Sequence, residues 1–417
     1  MTTNSIRPVA AVDRHLELDV LRGLGVMGIL AVNIIAFALP FDVFASPRLS
    51  PFGLDGDSAT AWWVITTFFQ YKFVTLFSML FGVSVYLVGG ERSDLARGAL
   101  LRRRLFWLAV FGLIHGLAIW FGDILLLYAW SGLFMMLMRP WSPKRLFWIG
   151  LTIVLLGSTF AVGPLIALEF APPQIIADAM KNALPGSPES VQASIAAMRG
   201  GLVPAMTENA GNWLFVQGAS LLMLVFRTVA LMMIGLALFK WGFLTGRSPV
   251  WVYLLLIVAA AASLWAVGQS VSATLASDFK MPESLGRHRA ANEYLSLVIS
   301  LGYASALILI VKTAPGRRLL HPLARTGQMA FTNYLAQSVI MTTIFWSGRG
   351  LGLFGAYDYD VLWMFVVAVW GLELVWSPLW LSRFRMGPME WVWRRLTYGK
   401  GLAASGDQPQ PSATAPQ

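Results

Sequence analysis

The 417-residue chain contains no cysteine, which excludes disulfides, thiolate metal sites and a cysteine nucleophile. Its four histidines, His15, His115, His288 and His321, share no metal-like spacing, so no metal is expected. Charge is scarce, at 12% of residues against 57% hydrophobic, and mean hydropathy is +0.65. No soluble domain needs that composition, and a polytopic membrane protein requires it. There is no internal repeat of useful length, which weakens an inverted-repeat transporter reading. Nor is there a clean signal peptide. Ala36-Phe37-Ala38 imitates a cleavage site, but the apolar run before it is about 20 residues, long enough to span.

What is present is an all-α pattern. Residues 1–17 read as a cytoplasmic leader, 18–400 as a single transmembrane helical domain, and the Ala/Ser/Pro/Gln-rich 401–417 as a disordered tail. Ten spans are expected, near 19–39, 61–90, 105–121, 123–138, 146–168, 212–239, 250–272, 292–311, 327–346 and 360–382. The second is too long for one upright helix; it is expected to begin with an interfacial piece at Trp62-Trp63 and to cross from Tyr71. Residues 169–211, punctuated by Pro172-Pro173 and Pro185-Gly186, form the longest non-spanning segment. Most of the 31 Lys and Arg residues fall in alternate loops. That asymmetry puts both termini in the cytoplasm and 169–211 outside. The net charge of +10 is therefore loop chemistry and not a nucleic-acid signal.

Within the spans, ionisable groups stand out. Asp19 and Arg22 are three apart in Leu18-Asp19-Val20-Leu21-Arg22-Gly23, so on a helix they share a face and can pair. Charged groups in hydrocarbon are costly and usually face a protein interior or a wet cavity. Helical rise places Asn33, His115 and Tyr128 at one level, each about 7 to 9 Å below the outer end of its span. Spans three and four are joined by a tight turn at Gly122, so His115 and Tyr128 are expected hydrogen-bond partners around a wet pocket. Nearer the cytoplasm, Arg227 and Glu373 fall at matched depth and are expected to pair or share a cavity. Blander readings stand beside these. His115 reads equally as an interhelical hydrogen-bonder, Asp123 as an N-cap, Lys72 as a snorkelling cation, and Arg102, Arg103 and Arg104 as a topology signal.

The Leu18 to Gly23 opening with Asn33, the run Lys72 to Gly82, Gly112-Leu113-Ile114-His115-Gly116 with Gly122-Asp123 and Tyr128, Gly327 to Tyr334, and Gly387-Pro388-Met389-Glu390-Trp391 together resemble the YeiB-like family of bacterial inner-membrane proteins. That family's fold is similar to the transmembrane acyltransferases, which include heparan-α-glucosaminide N-acetyltransferase and bacterial polysaccharide O-acyltransferases. The resemblance implies transfer of an acyl group from cytoplasmic acyl-CoA to an envelope glycan or small-molecule acceptor outside. Asn33 stands where the O-acyltransferases carry a histidine, and the 40–60 loop lacks the histidine that the lysosomal enzyme uses there. His115 is then the intramembrane histidine left to serve as base, oriented by Asp123 or Tyr128, with Asn33 or Lys72 on the oxyanion. Histidine suits the role because its charge changes near neutral pH. Asp19, Arg22, Arg102, Arg103, Arg104, Arg227, Glu373 and the motif residue Asn333 are the donor-side candidates. Expected partners are membrane lipids and the acceptor, with no nucleic acid; a homodimer is the protein partner entertained. A small-solute carrier or channel is the competing class, and a scaffold or sensor the third.

Overall fold

The computed structural model describes residues 15–90, 95–176, 186–279 and 283–399; the expected leader to residue 14, Arg92 and the expected tail 401–417 lie outside them. Among the described residues all regular structure is helical and there is no strand. Helix α1 is Leu16–Ala38, α2 Phe41–Ala45, α3 Gly56–Val64, α4 Lys72–Gly89, α5 Leu95–Ala118, α6 Leu125–Met138, α7 Pro143–Ala167 and α8 Pro188–Arg199. They are followed by α9 Leu202–Lys240, α10 Val250–Ala276, α11 Glu283–Val311, α12 Ala314–Leu319, α13 His321–Gln328, α14 Ala330–Phe345, α15 Tyr359–Arg383 and α16 Pro388–Tyr398. Six helical runs are long and apolar enough to cross a membrane, and each of the other expected spans also coincides with a helix. The protein is a polytopic helical membrane protein.

Burial sorts these helices into a centre and a rim. The apolar stretch of α1 is 78% buried, against 22% for α7, 17% for α10 and 28% for α15. So α1 is the hub, packed on α4, α11, α13, α14 and α15. The rim helices turn Leu156, Trp265, Met364 and Leu379 outward, where acyl chains replace water as their solvent. The hub is tight because it meets α13 backbone to backbone. A Cβ on Gly23 would lie 2.1 Å from the Leu323 carbonyl oxygen, and one on Gly327 only 1.8 Å from that of Asp19. Small residues permit this approach, which is how helices gain contact where hydrophobic collapse is unavailable.

One expected boundary is met and two differ. The second run does break near Tyr71, which sits at φ 67 between a π-helical turn Ile65–Phe69 and α4. Trp62 and Trp63 both pack against the protein. Trp62 packs edge-on against Phe279, and Trp63 donates to Ser272 Oγ at 2.9 Å, because α3 is covered by α10 and α15. Helix α9 begins at Leu202, ten positions before the expected span, and packs on α8, whose Ser187 capping box starts it cleanly. The ninth span is interrupted at Met329, where the chain leaves α13 and re-enters α14.

Candidate functional site

The Asp19–Arg22 pair forms as the spacing requires, with Arg22 Nη1 2.9 Å from Asp19 Oδ1. Gln328 Nε2 holds the second carboxylate oxygen at 3.1 Å. Arg22 remains a quarter exposed because it borders a cavity of about 230 Å³. Arg104 and Gln328 line it with Arg22, together with Phe77, Phe81, Phe331 and Trp393, and Tyr128, Ile124 and Tyr334 complete its wall. A second recess of about 230 Å³ adjoins it, sharing Arg104, Gln328, Glu390 and Trp393 and adding Arg385 and Arg394. The floor is α16, whose Trp393 donates to the Arg104 carbonyl at 3.0 Å and lies under the Arg104 guanidinium at 3.7 Å. The result is a chamber lined by both arginines and aromatic rings.

Beside Tyr334 stands His115, 1% exposed. Its Nδ1 lies 2.9 Å from Asp123 Oδ1 and its Nε2 2.9 Å from Ser338 Oγ. Asp123 also caps α6, accepting the N–H of Leu125 at 3.1 Å and of Leu126 at 2.8 Å. The capping and orienting readings of Asp123 are therefore both realised by one carboxylate. Gly112 makes the fit possible: a Cβ there would meet Leu126 N at 2.4 Å and Asp123 Oδ2 at 2.9 Å. In the neutral imidazole, with Asp123 accepting from Nδ1–H, Nε2 is left as an acceptor and the Ser338 hydroxyl donates to it. Carboxylate, imidazole and hydroxyl stand in the order used for nucleophilic acyl chemistry.

The expected wet pocket does not include His115. The cavity stops one residue short, at Tyr334, whose ring lies 5.2 Å from the imidazole. Tyr334 Oη accepts the Ile124 N–H at 3.3 Å and donates to the Gly122 carbonyl at 3.4 Å. The expected His115–Tyr128 bond is also absent, since Tyr128 Oη pairs with Ser78 Oγ on α4 at 3.1 Å. Asn33 is half-buried on α1 and has no hydrogen-bond partner among the described residues.

Depth-matching failed for the second pair. Arg227 bridges Glu293 on α11, with Ser158 and Ser296 as further partners, because α7 and α11 pack together there and α9 packs on α7. Glu373 instead accepts Gln337 Nε2 at 3.0 Å; its Oε2 has no partner among the described residues. Lys72 neither snorkels nor faces His115: it is fully buried and bonds Asn292 Oδ1 and the Thr66 carbonyl. Asn333 is enclosed by Thr326, Ser377 and Trp376 and lines neither recess. Of the arginine cluster, Arg104 enters the chamber while Arg102 and Arg103 are exposed.

Four further participants carry no assigned role in the sequence reading. Ser338 sits in an apolar run and Glu293 follows a loop charge cluster, whereas Tyr334 and Glu390 fall within runs that carry the family resemblance. Glu390 is bound into the fold: its Oε1 accepts the N–H of Phe331 and Thr332, and Thr332 Oγ donates to Oε2 at 2.5 Å. Burial raises its carboxyl above the ordinary range, against the pull of those bonds.

Compared with known proteins, residues 238–400 match a family described as a protein of unknown function, DUF418. The chain is 31% identical to uncharacterized protein YeiB of Escherichia coli K12, across 92% of this chain and 96% of that one. It is 30% identical to uncharacterized protein YxaH of Bacillus subtilis 168, across 95% and 97%. It is 26% identical to an uncharacterized 39.9 kDa protein in the amylase 3′ region of Bacillus acidopullulyticus, across 94% and 96%. No solved structure matches.

Proposed function

Starting from a chain that belongs to the YeiB-like family of membrane proteins, we propose a transmembrane acyltransferase that moves an acyl group from cytoplasmic acyl-CoA to a hydroxyl or amine acceptor on the other side. The reading includes ten spans in a bacterial inner membrane with both termini cytoplasmic. The observation that carries it is a chamber lined by arginines and aromatic rings, one wall of which is a tyrosine lying against a carboxylate–imidazole–hydroxyl relay. Arg22, Arg104, Arg385 and Arg394 suit the phosphates of a coenzyme, and Phe77, Phe81 and Phe331 suit an acyl chain or pantetheine arm. His115, held by Asp123, is the base. Tyr334 swings aside to admit the thioester.

The test exploits the absence of cysteine. Purified protein in nanodiscs contributes no thiol, so a thiol reagent reports only coenzyme released from acetyl-CoA or a longer acyl-CoA. Release that rises with protein concentration and falls in His115→Ala supports the proposal, and no release with any chain length rejects it.

One observation favours a carrier as the second reading. A narrow crevice lined by Ala36, Phe121, Asn209 and Trp346 lies at the opposite end of α1 from Arg22, near the stacked Phe37 and Trp120 rings, whose centroids are 3.9 Å apart. Solute flux into vesicles without thioester cleavage would favour it.

A further inference from the structure

We infer that Ser338 carries the acyl group as a covalent ester between donor and acceptor. This rests on the acyltransfer reading and adds to it the nucleophile and a two-step order.

The geometry has two parts. First, Ser338 is oriented for attack. Asp123 fixes the imidazole with Nε2 as acceptor, so the 2.9 Å contact has Ser338 Oγ–H donating to His115. Its other contact, to the Tyr334 carbonyl at 3.3 Å, is at the long end for a hydroxyl and does not compete well. Second, Ser338 continues the wall of the chamber. Phe331 and Tyr334 line the cavity, three apart on α14, and Ser338 follows four later on the same face. One helical turn, about 6 Å, separates it from Tyr334. Tyr334 is buried between the chamber and His115, and its phenol makes only long hydrogen bonds, of 3.3 and 3.4 Å. Its side chain is thus the removable barrier between the chamber and the hydroxyl.

In the first half, Ser338 Oγ attacks the thioester carbonyl carbon while His115 Nε2 takes the hydroxyl proton. The carbon–sulfur bond breaks, and the coenzyme thiolate takes that proton and leaves as free thiol. In the second half, the acceptor hydroxyl or amine loses its proton to His115 and attacks the serine ester. The ester carbon–oxygen bond breaks and Ser338 recovers its proton. No oxidant or reductant enters, and one acyl group is exchanged for one proton at each stage.

The experiment is acid quench of full-length protein in nanodiscs after incubation with acetyl-CoA labelled in the acetyl group, followed by peptide mass mapping. Label on the Ser338 peptide, discharged on adding acceptor, is the expected result. Ser338→Ala is expected to lose label and at least about 1000-fold of turnover while still binding coenzyme. Turnover by wild type without label on Ser338, or Ser338→Ala retaining turnover within a few-fold, overturns the inference and leaves acyl transfer standing. A wild type that shows no label and releases no thiol overturns both. Because wild-type labelling decides the matter alone, a variant that fails to fold does not blunt the test.

Discussion

Glu390 Oε1 accepts the backbone N–H of Phe331 at 2.8 Å, so a carboxylate from the amphipathic α16 closes the first turn of α14. Helix N-termini leave their first N–H groups unpaired, and α14 lacks a side-chain cap of its own. Removing the carboxylate in Glu390→Ala is expected to cost about 1–3 kcal/mol, whereas Glu390→Gln keeps an acceptor and costs less. Thermal unfolding in nanodiscs distinguishes them.

The same carboxyl predicts a pH trend. Burial raises it above its unfolded value, so the folded state binds this proton more tightly than the unfolded chain does. Its stabilising contribution is present at low pH and is lost as pH rises through the raised value. Wild type should therefore lose stability relative to Glu390→Gln as pH climbs from the acid side towards neutrality. A difference that stays constant across that range would contradict the assignment.

Asp123 does two jobs that substitution can separate. Asp123→Asn retains a capping oxygen but presents the wrong hydrogen-bonding partner to His115 Nδ1, so acyl transfer should fall about 10⁴-fold with little loss of stability. Asp123→Ala should add a capping cost of about 1–2 kcal/mol. Equal activity in the Asp123→Asn variant and the wild-type protein would remove the orienting role.

Tyr334 should behave as a barrier. Tyr334→Ala is expected to raise thioester hydrolysis in the absence of acceptor several-fold, because water and donor then reach the relay together. Tyr334→Phe keeps the ring and should stay near wild type. Thiol release without acceptor reads both, and an unchanged rate in the alanine variant argues against the gate.

The pairing of Arg227 can be checked energetically. Breaking a largely buried ion pair from one side costs about 3–5 kcal/mol. In a double-mutant cycle Arg227→Met and Glu293→Gln should couple by more than about 1 kcal/mol, while Arg227→Met and Glu373→Gln should be additive within about 0.5 kcal/mol. The reverse pattern would restore the pairing inferred from depth alone.

Much of the architecture is legible in the residues alone. Membrane class follows from composition, the break near Tyr71 from excess length, and the Asp19–Arg22 contact from a spacing of three. Local rules also brought Asp123 to His115, since both flank one short turn. What failed was azimuth. Helical rise gives the depth of Arg227 and Glu373 but not which way each points, and the true partner Glu293 sits on a helix that sequence order does not place beside α9. Ser338 was invisible for a related reason. It lies 223 positions from His115, and a lone serine in an apolar helix carries no periodic signal of what it faces.

The chamber's floor is built from residues beyond the last long helix, since Glu390 and Trp393 of α16 underlie it and Arg394 borders the recess beside it. A protein shortened after Arg383 would keep every hydrophobic crossing and insert as before, yet would have an undefined vestibule and an uncapped α14. The hydrophobic crossings and the completed chamber therefore draw on different parts of this chain.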